Sequence, residues 1–173
     1  NHALNITKNE TGLVAIYLHD VTELNKYIRE TEEQRLVSGL IYIDNYDEVL
    51  NSVDEEKQSL FFALVERRIN QYINDAKGII KKFENDKFYI AVPYNVFVKM
   101  EEDQFSLLET VKSVKIGNSI PTTISIGLGL SRDTYALSYN DARAAIDLAL
   151  ARGGDQAVIK SNKGITYYGG KQE

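Results

Sequence analysis

The chain has 173 residues, 43% of them hydrophobic and 26% charged, enough for one globular domain with a sizeable core and a fragment of a second. It has no cysteine, which excludes a disulfide framework and thiolate metal sites, and its formal charge of −5 with a pI near 5.2 argues against a dedicated nucleic-acid surface. No apolar run approaches the ~18–20 residues of a membrane span and no signal peptide is visible, while the start at Asn1 without Met makes a segment of a longer polypeptide the expected frame.

Ala3–Thr7 and Leu13–His19 read as two strands around the turn Lys8-Asn9-Glu10-Thr11-Gly12. A lone hairpin is marginal in water, so residues 1–20 are expected to complete a sheet or to swap onto a neighbour. His2 and His19 have no third ligand near them and predict no metal site. Asp20, three residues before Glu23, predicts an N-cap pair for a charged helix over Thr22–Gln34 with Leu24, Tyr27 and Ile28 on one side. Such a linker helix, residues 21–35, suits a signalling connector or a parallel dimer seam.

Leu36–Ile43 has the continuous apolar character of an interior strand and ends at Asp44-Asn45-Tyr46-Asp47. Asp54 is placed to cap a helix over Glu55–Asn74, whose Leu60, Phe61, Leu64, Val65, Ile69, Tyr72 and Ile73 recur at helical spacing and predict a core stripe. Gly78–Lys81 and Tyr89–Val92 flank a polar turn and read as a hairpin, with Ile79, Ile80, Phe83, Phe88, Ile90 and Val92 available to bury one face. After Pro93 the pattern is helical, with a break near Glu101-Glu102-Asp103 and a second run over Gln104–Val114. Pro121 introduces a strand over Thr122–Leu130, and a helix over Asn140–Arg152 closes at Gly153-Gly154. The last strand is Ala157–Lys160, Gly164–Tyr168 can pair beside it, and the Gly169–Glu173 tail reads as a linker. The expected fold is α+β, with a central mixed sheet in the order βααββαβ flanked by helices.

The turn Glu84-Asn85-Asp86-Lys87-Phe88 resembles the signature hairpin of GGDEF domains, which reads Gly-Gly-Asp-Glu-Phe; Asp86 and Phe88 match. Ile124-Ser125-Ile126-Gly127 resembles that family's Thr-Val-Ser-Ile-Gly strand, and Ala145, Ala149 and Gly153 match its last helix, so the resemblance covers residues 33–170. It implies the palm-like fold of nucleotide cyclases. It also implies which groups are missing. Tyr42 stands at the position of a metal-binding Asp while Asp44 keeps the second, and Leu50 replaces an Asn that reads guanine. Lys87 replaces an acidic ligand, Leu150 the phosphate-binding Lys, Arg143 an Asp, and Gly154-Asp155 an Arg-Asn pair. An ammonium cannot coordinate Mg²⁺ and a phenol is a poor ligand for it at neutral pH. A side chain where the turn needs positive φ costs up to about 1 kcal/mol. The Glu84 carboxylate would repel a phosphate oxygen about 5 Å away by roughly 3 kcal/mol at an effective dielectric near 20. The product-inhibition motif Arg-x-x-Asp would fall on Asp75 and Gly78 and is absent.

Tyr17-Leu18-His19-Asp20-Val21-Thr22-Glu23 resembles the end of a PAS domain, which assigns residues 1–20 to its last strands, 36–170 to a degenerate GGDEF domain and 171–173 to a linker. This combination is similar to the membrane-anchored cyclic-di-AMP phosphodiesterases of the GdpP type. The resemblance implies a PAS domain upstream and a DHH/DHHA1 domain downstream that hydrolyses cyclic-di-AMP to linear pApA with Mn²⁺. No Asp-His-His occurs here, so this chain is expected to hold no cofactor and no catalytic residue, and to act as a regulatory, dimerising cytoplasmic module rather than a diguanylate cyclase. The alternative is a weak ATPase or nucleotide-binding domain using Asp44, Asp86 and Lys87. Against that ligand role stands the plainer and preferred reading, in which Asp44 caps the helix after it, Asp86 makes the turn, and Lys81, Lys82 and Lys87 form a solvated edge that resists strand pairing.

Overall fold

The computed structural model describes residues 2–8, 14–132 and 134–170, and the chain divides into two compact units, 1–35 and 36–173. In the first, β1 (His2–Lys8) and β2 (Val14–Asp20) pair antiparallel with Ile6 opposite Ile16, and α1 (Thr22–Gln34) follows. Residues 9–12 of the expected turn, the side chains of His2 and His19 and residues 171–173 of the expected linker lie outside the described set. The start of α1 differs in detail from the expected cap: Val21 is the N-cap, and Asp20 accepts hydrogen bonds from the Thr22 amide (2.9 Å) and hydroxyl (2.6 Å). No residue of α1 is buried, and Leu24, Tyr27 and Ile28 form an exposed apolar stripe.

The second unit runs β3 (Leu36–Ile43), α2 (Tyr46–Ser52), α3 (Glu55–Asp75), β4 (Ile79–Lys82), β5 (Lys87–Pro93), α4 (Tyr94–Glu102), α5 (Leu107–Lys112), β6 (Ile124–Gly129), α6 (Tyr135–Ala151), β7 (Gln156–Ser161) and β8 (Gly164–Gly169). The six strands form one mixed sheet in the order β4-β5-β3-β6-β7-β8, with β6 and β7 parallel and every other neighbouring pair antiparallel. The expected order βααββαβ is contained in this one, and the second helical run after Pro93, the last helix and the two terminal strands that the residues also predict are present as α5, α6, β7 and β8. On one face of the sheet Val37, Ile41 and Ile43 of β3, with Phe88, Ile90, Ile124, Ile126 and Ile159 from its neighbours, join the apolar sides of α3, α4 and α5 in the main core. The other face receives α6 alone, through Ala145 and Ala149 against Val158.

Two glycines decide how α6 lies. A Cβ at Gly127 would stand 2.5 Å from the Ile146 amide nitrogen, and one at Gly129 would stand 1.9 Å from the Ser138 carbonyl oxygen. The helix backbone therefore rests on the strand backbone, a closeness that only residues without side chains permit. Ser138 exploits it. Its buried hydroxyl donates to the Gly129 carbonyl (2.8 Å) and accepts the Ser38 amide (3.1 Å), which ties the helix to two strands.

The structure corrects several expected burials and boundaries. Leu60, placed in the α3 stripe, is 54% exposed, and Phe62 is buried instead, stacked 4.2 Å from Tyr46 of α2. In the hairpin, Phe88, Ile90 and Val92 are buried, but Ile79, on the edge strand β4, and Phe83, in the turn after it, are 60% and 48% exposed. Asp54 precedes α3 without a side-chain cap bond; its carboxylate pairs with Lys57 at 2.8 Å. The second helical run shrinks to Leu107–Lys112, since Gln104 and Phe105 take left-handed backbone (φ 55° and 56°) and end the preceding turn, with Phe105 fully buried as the plug. α6 begins at Tyr135 rather than Asn140, because Thr134 caps it by accepting the Leu137 amide at 3.1 Å.

Overpacking between α6 and β6 is the sharpest test of this architecture. Gly127→Ala is expected to lower stability by about 1–3 kcal/mol, read as a reduced midpoint of urea unfolding followed by circular dichroism; an unchanged midpoint would mean the helix does not rest on the strand.

Candidate functional site

β3 ends beside the start of β5 and the start of β6, and the α6–β7 turn comes back to the same edge, so one end of the sheet collects residues 42–45, 83–87, 121–125 and 153–156. All three candidate residues are there. Asp44 closes β3, while Asp86 and Lys87 lie at the hairpin, where the Asp86 carbonyl accepts the Ile43 amide at 2.8 Å.

Asp44 does not cap the helix that follows it. Asn45 is the N-cap of α2, without a side-chain bond to it, and the Asp44 carboxylate faces the chain interior. One oxygen accepts the Ser125 hydroxyl at 2.6 Å and the other the Asp155 amide at 2.9 Å. A Cβ at Gly154, where φ is +73°, would stand 2.7 Å from the carboxyl carbon, so this glycine both allows the turn and makes room for Asp44. Asn45 adds a second clasp: its side-chain amide donates to the Pro121 carbonyl (2.9 Å) and its oxygen accepts the Thr123 amide (3.1 Å). Burial raises the Asp44 pKa, against the lowering effect of the Ser125 and Asp155 hydrogen bonds. Asp155 also takes Lys112 at 2.7 Å, and Lys112 shares Glu109 at the same distance. Burial alone would lower the Lys112 pKa, but these two carboxylates outweigh it and raise it.

At the hairpin Tyr42, Lys87 and Glu84 touch each other. Tyr42 is paired in register with Lys87, whose ammonium lies 5.4 Å from the centre of the Tyr42 ring. Glu84 accepts a 2.6 Å hydrogen bond from the same ammonium, and this bond is the main reason the Lys87 pKa is raised. Phe83 approaches Tyr42 edge-on with ring centres 6.4 Å apart. A cation held over a phenol and tied to a carboxylate is a closed set, with no oxygen cluster for a divalent ion. Among the described residues no group of three His, Cys, Asp or Glu side chains is placed to hold a metal. The Asp86 backbone makes the turn, and its carboxylate lies close enough to the Lys87 ammonium to help raise that group's pKa.

Leu50 and Leu150 serve as packing and surface. Leu50 is partly buried and packs on the main core, and Leu150 is exposed on α6. The clasp partners Ser125, Gly154, Asp155 and Lys112 are functional neighbours that sequence reasoning did not connect to Asp44. Ser125 and Asp155 lie 81 and 111 residues away along the chain, and no local pattern links them.

Two measurements test this geometry. Ser125→Ala removes a hydrogen bond to a charged group and is expected to cost about 1.5–3 kcal/mol of unfolding free energy, with the Asp44 carboxyl titrating at still higher pH by carbon-detected NMR. The sign for pH follows from the raised pKa: folded Asp44 holds its proton more tightly than unfolded Asp44, so its contribution to stability falls as pH rises from the ordinary carboxylate range through its folded pKa. Asp44→Ala should remove that component from the pH profile of thermal unfolding; an unaltered profile would place Asp44 in solvent.

The model of the GGDEF domain of cyclic-di-AMP phosphodiesterase GdpP-like proteins matches residues 41–166. The cyclic-di-AMP phosphodiesterase GdpP of Geobacillus thermodenitrificans is 34% identical over 157 residues, covering 90% of this chain and 24% of that protein. PdeA of Listeria monocytogenes, also a cyclic-di-AMP phosphodiesterase, is 31% identical with the same coverage. A membrane protein–large ribosomal subunit bL9 fusion protein of onion yellows phytoplasma is 29% identical over 92% of this chain and 19% of its own length. The chain thus spans about a quarter of the length of the phosphodiesterases it matches. In fold it is similar to the FimX GGDEF domain from Pseudomonas aeruginosa (TM-score 0.60, 16% identity, 88% of this chain and 98% of that one) and to the active GGEEF domain of a diguanylate cyclase from Vibrio cholerae (TM-score 0.59, 15% identity, 78% and 89%). The strand order, the altered hairpin and these matches together make the chain a member of the GGDEF domain family of GdpP-like cyclic-di-AMP phosphodiesterases.

Proposed function

We propose that this chain is a regulatory, catalytically degenerate GGDEF module of a membrane-anchored cyclic-di-AMP phosphodiesterase. In this reading residues 1–20 end a PAS domain, and hydrolysis of cyclic-di-AMP to pApA takes place in a Mn²⁺-dependent DHH/DHHA1 domain beyond this chain. The observation that carries the degenerate half is the Tyr42–Lys87–Glu84 contact, which fills with a phenol, an ammonium and its counter-ion the place where the family's chemistry requires metal-binding oxygens. The regulatory half is supported by the length and names of the relatives, two of them cyclic-di-AMP phosphodiesterases about four times longer. The exposed Leu24, Tyr27 and Ile28 stripe of α1 suits a seam between two copies. A membrane setting is supported by the phytoplasma relative's description, and the anchor would lie elsewhere, since no helix among the described residues is long and apolar enough to cross a bilayer.

Removing residues 36–170 from the full-length protein is expected to change its phosphodiesterase rate, its response to the upstream signal or its oligomeric mass. If all three stay as they were, the regulatory reading fails. The second reading, a weak ATPase, is favoured by the Asp86 carboxylate beside Lys87, with Asp44 nearby at the same edge. In that case phosphate release from ATP by the purified chain should fall several-fold in Asp86→Ala; equal rates would remove Asp86 from any such role. Formation of cyclic-di-GMP from GTP by this chain would overturn both.

A further inference from the structure

The sheet is covered unequally on its α6 side. α6 packs on β6, β7 and β3, whereas the same side of β4 and β5 presents Ile79, Lys81, Lys87 and Tyr89. Along the border between helix and bare strands runs a tyrosine strip: Tyr89 stands 6.0 Å, ring centre to ring centre, from Tyr139, which is 38% exposed, and Tyr135 one turn earlier is 51% exposed. The Tyr89 hydroxyl lies 3.4 Å from that of Ser38, which steadies the ring from below. Tyrosines half-open on a rigid sheet offer large flat surfaces at little entropic cost.

The charges around the strip are not evenly placed. Lys81 is opposite Tyr89 in the β4–β5 register. Arg143 follows Tyr139 by one helical turn, on the row that continues to Asp147 near Tyr42. Neither Lys81 nor Arg143 forms an ion pair with a described residue, and both are exposed. The cation at the Tyr42 end, Lys87, is already neutralised by Glu84, and Asp147 adds negative charge there. The Tyr89–Tyr139 pair is thus flanked by two unengaged cations, while the hairpin edge is not.

We propose that Tyr89 and Tyr139 stack the base of a nucleotide whose phosphates are held by Lys81 and Arg143. Every nucleobase has a flat π-face that stacks on aromatic side chains, and an arginine and a lysine bind phosphate oxygens by charge-assisted hydrogen bonds. The site adjoins the hairpin edge, with Lys87 two residues from Tyr89 on the same side of β5 and Tyr139 near Tyr42, and it stands or falls independently of the regulatory reading, which is decided by deletion in the full-length protein.

The test titrates the whole chain with ATP, adenosine and tripolyphosphate, followed by two-dimensional NMR and by tyrosine fluorescence, which no tryptophan obscures. ATP is expected to shift the signals of Tyr89, Tyr139 and Ile79. Tyr139→Ala should weaken ATP about five- to a hundredfold, the range for losing one stacked base, while Tyr139→Phe, which keeps the ring, binds as before. Lys81→Ala and Arg143→Ala should weaken ATP and flatten its salt dependence without changing adenosine, and Asp86→Ala should leave all of it unaltered. Circular dichroism confirms that each variant is folded. ATP binding lost in Asp86→Ala but intact in Tyr139→Ala would move the nucleotide to the hairpin edge and overturn the proposal. Absence of ATP binding would overturn it too, as would a concentration-dependent dimer abolished by Tyr139→Ala, or a single-stranded oligonucleotide bound more tightly with each added base.

Discussion

Helix α6 lies backbone against backbone on β6, and the geometry of the candidate site follows from that contact. Gly127 and Gly129 remove the side chains that would hold the helix off, and Ser138, Ala142, Ala145 and Ala149 present small groups to the strands below. The helix is thereby fixed in height and direction. Its C-terminal end delivers Gly153, Gly154 and Asp155 to the edge where β3 ends, so that the Asp155 amide meets the Asp44 carboxylate. Gln156, itself buried, donates to the Ala149 and Gly154 carbonyls and satisfies the last turn of the helix. A longer side chain under α6 would displace this whole assembly.

The chemistry at that edge follows from what surrounds each ionisable group. Asp44 keeps its place at the end of β3, but its oxygens serve the fold, joining three segments of chain through Ser125 and Asp155. Tyr42, Lys87 and Glu84 satisfy one another across the β3–β5 pair and leave that part of the edge without an oxygen cage. The three side chains therefore answer one another's charge and polarity. A lysine beside a metal-binding carboxylate would be a different molecule electrostatically from a lysine over a phenol.

A one-sided cover has the opposite effect on the neighbouring strands. Because α6 lies mainly over β3, β6 and β7 and meets β5 at the Tyr89–Tyr139 pair, the hairpin strands keep an open, aromatic and partly cationic surface that a fully two-sided α/β layer would have buried. Ile79 on the edge strand and Phe83 in the turn after it, both apolar, remain exposed: hydrophobic patterning identifies a strand's two sides but not whether anything stands over them.

Much of the fold was legible in the residues because it rests on local rules. The run from Leu36 to Ile43 could only be an interior strand, the α3 stripe repeats at helical spacing, and Gly153-Gly154 stops α6 by taking left-handed backbone. The chemical character of Tyr42, Lys87 and Leu150 was equally visible, since a side chain's capacity to coordinate or to carry charge belongs to its type. Phe62 in place of Leu60, the early start of α6 and the left-handed break at Gln104-Phe105 were less legible, for there packing and capping outweigh periodicity. What only the tertiary structure decided is who meets whom: Asp44 with Ser125 and Asp155, Tyr42 with Lys87, Tyr89 with Tyr139. The physical reason is that spacing along a chain constrains direction over a few residues, whereas strand order and the resting height of a helix set contacts between residues far apart in sequence.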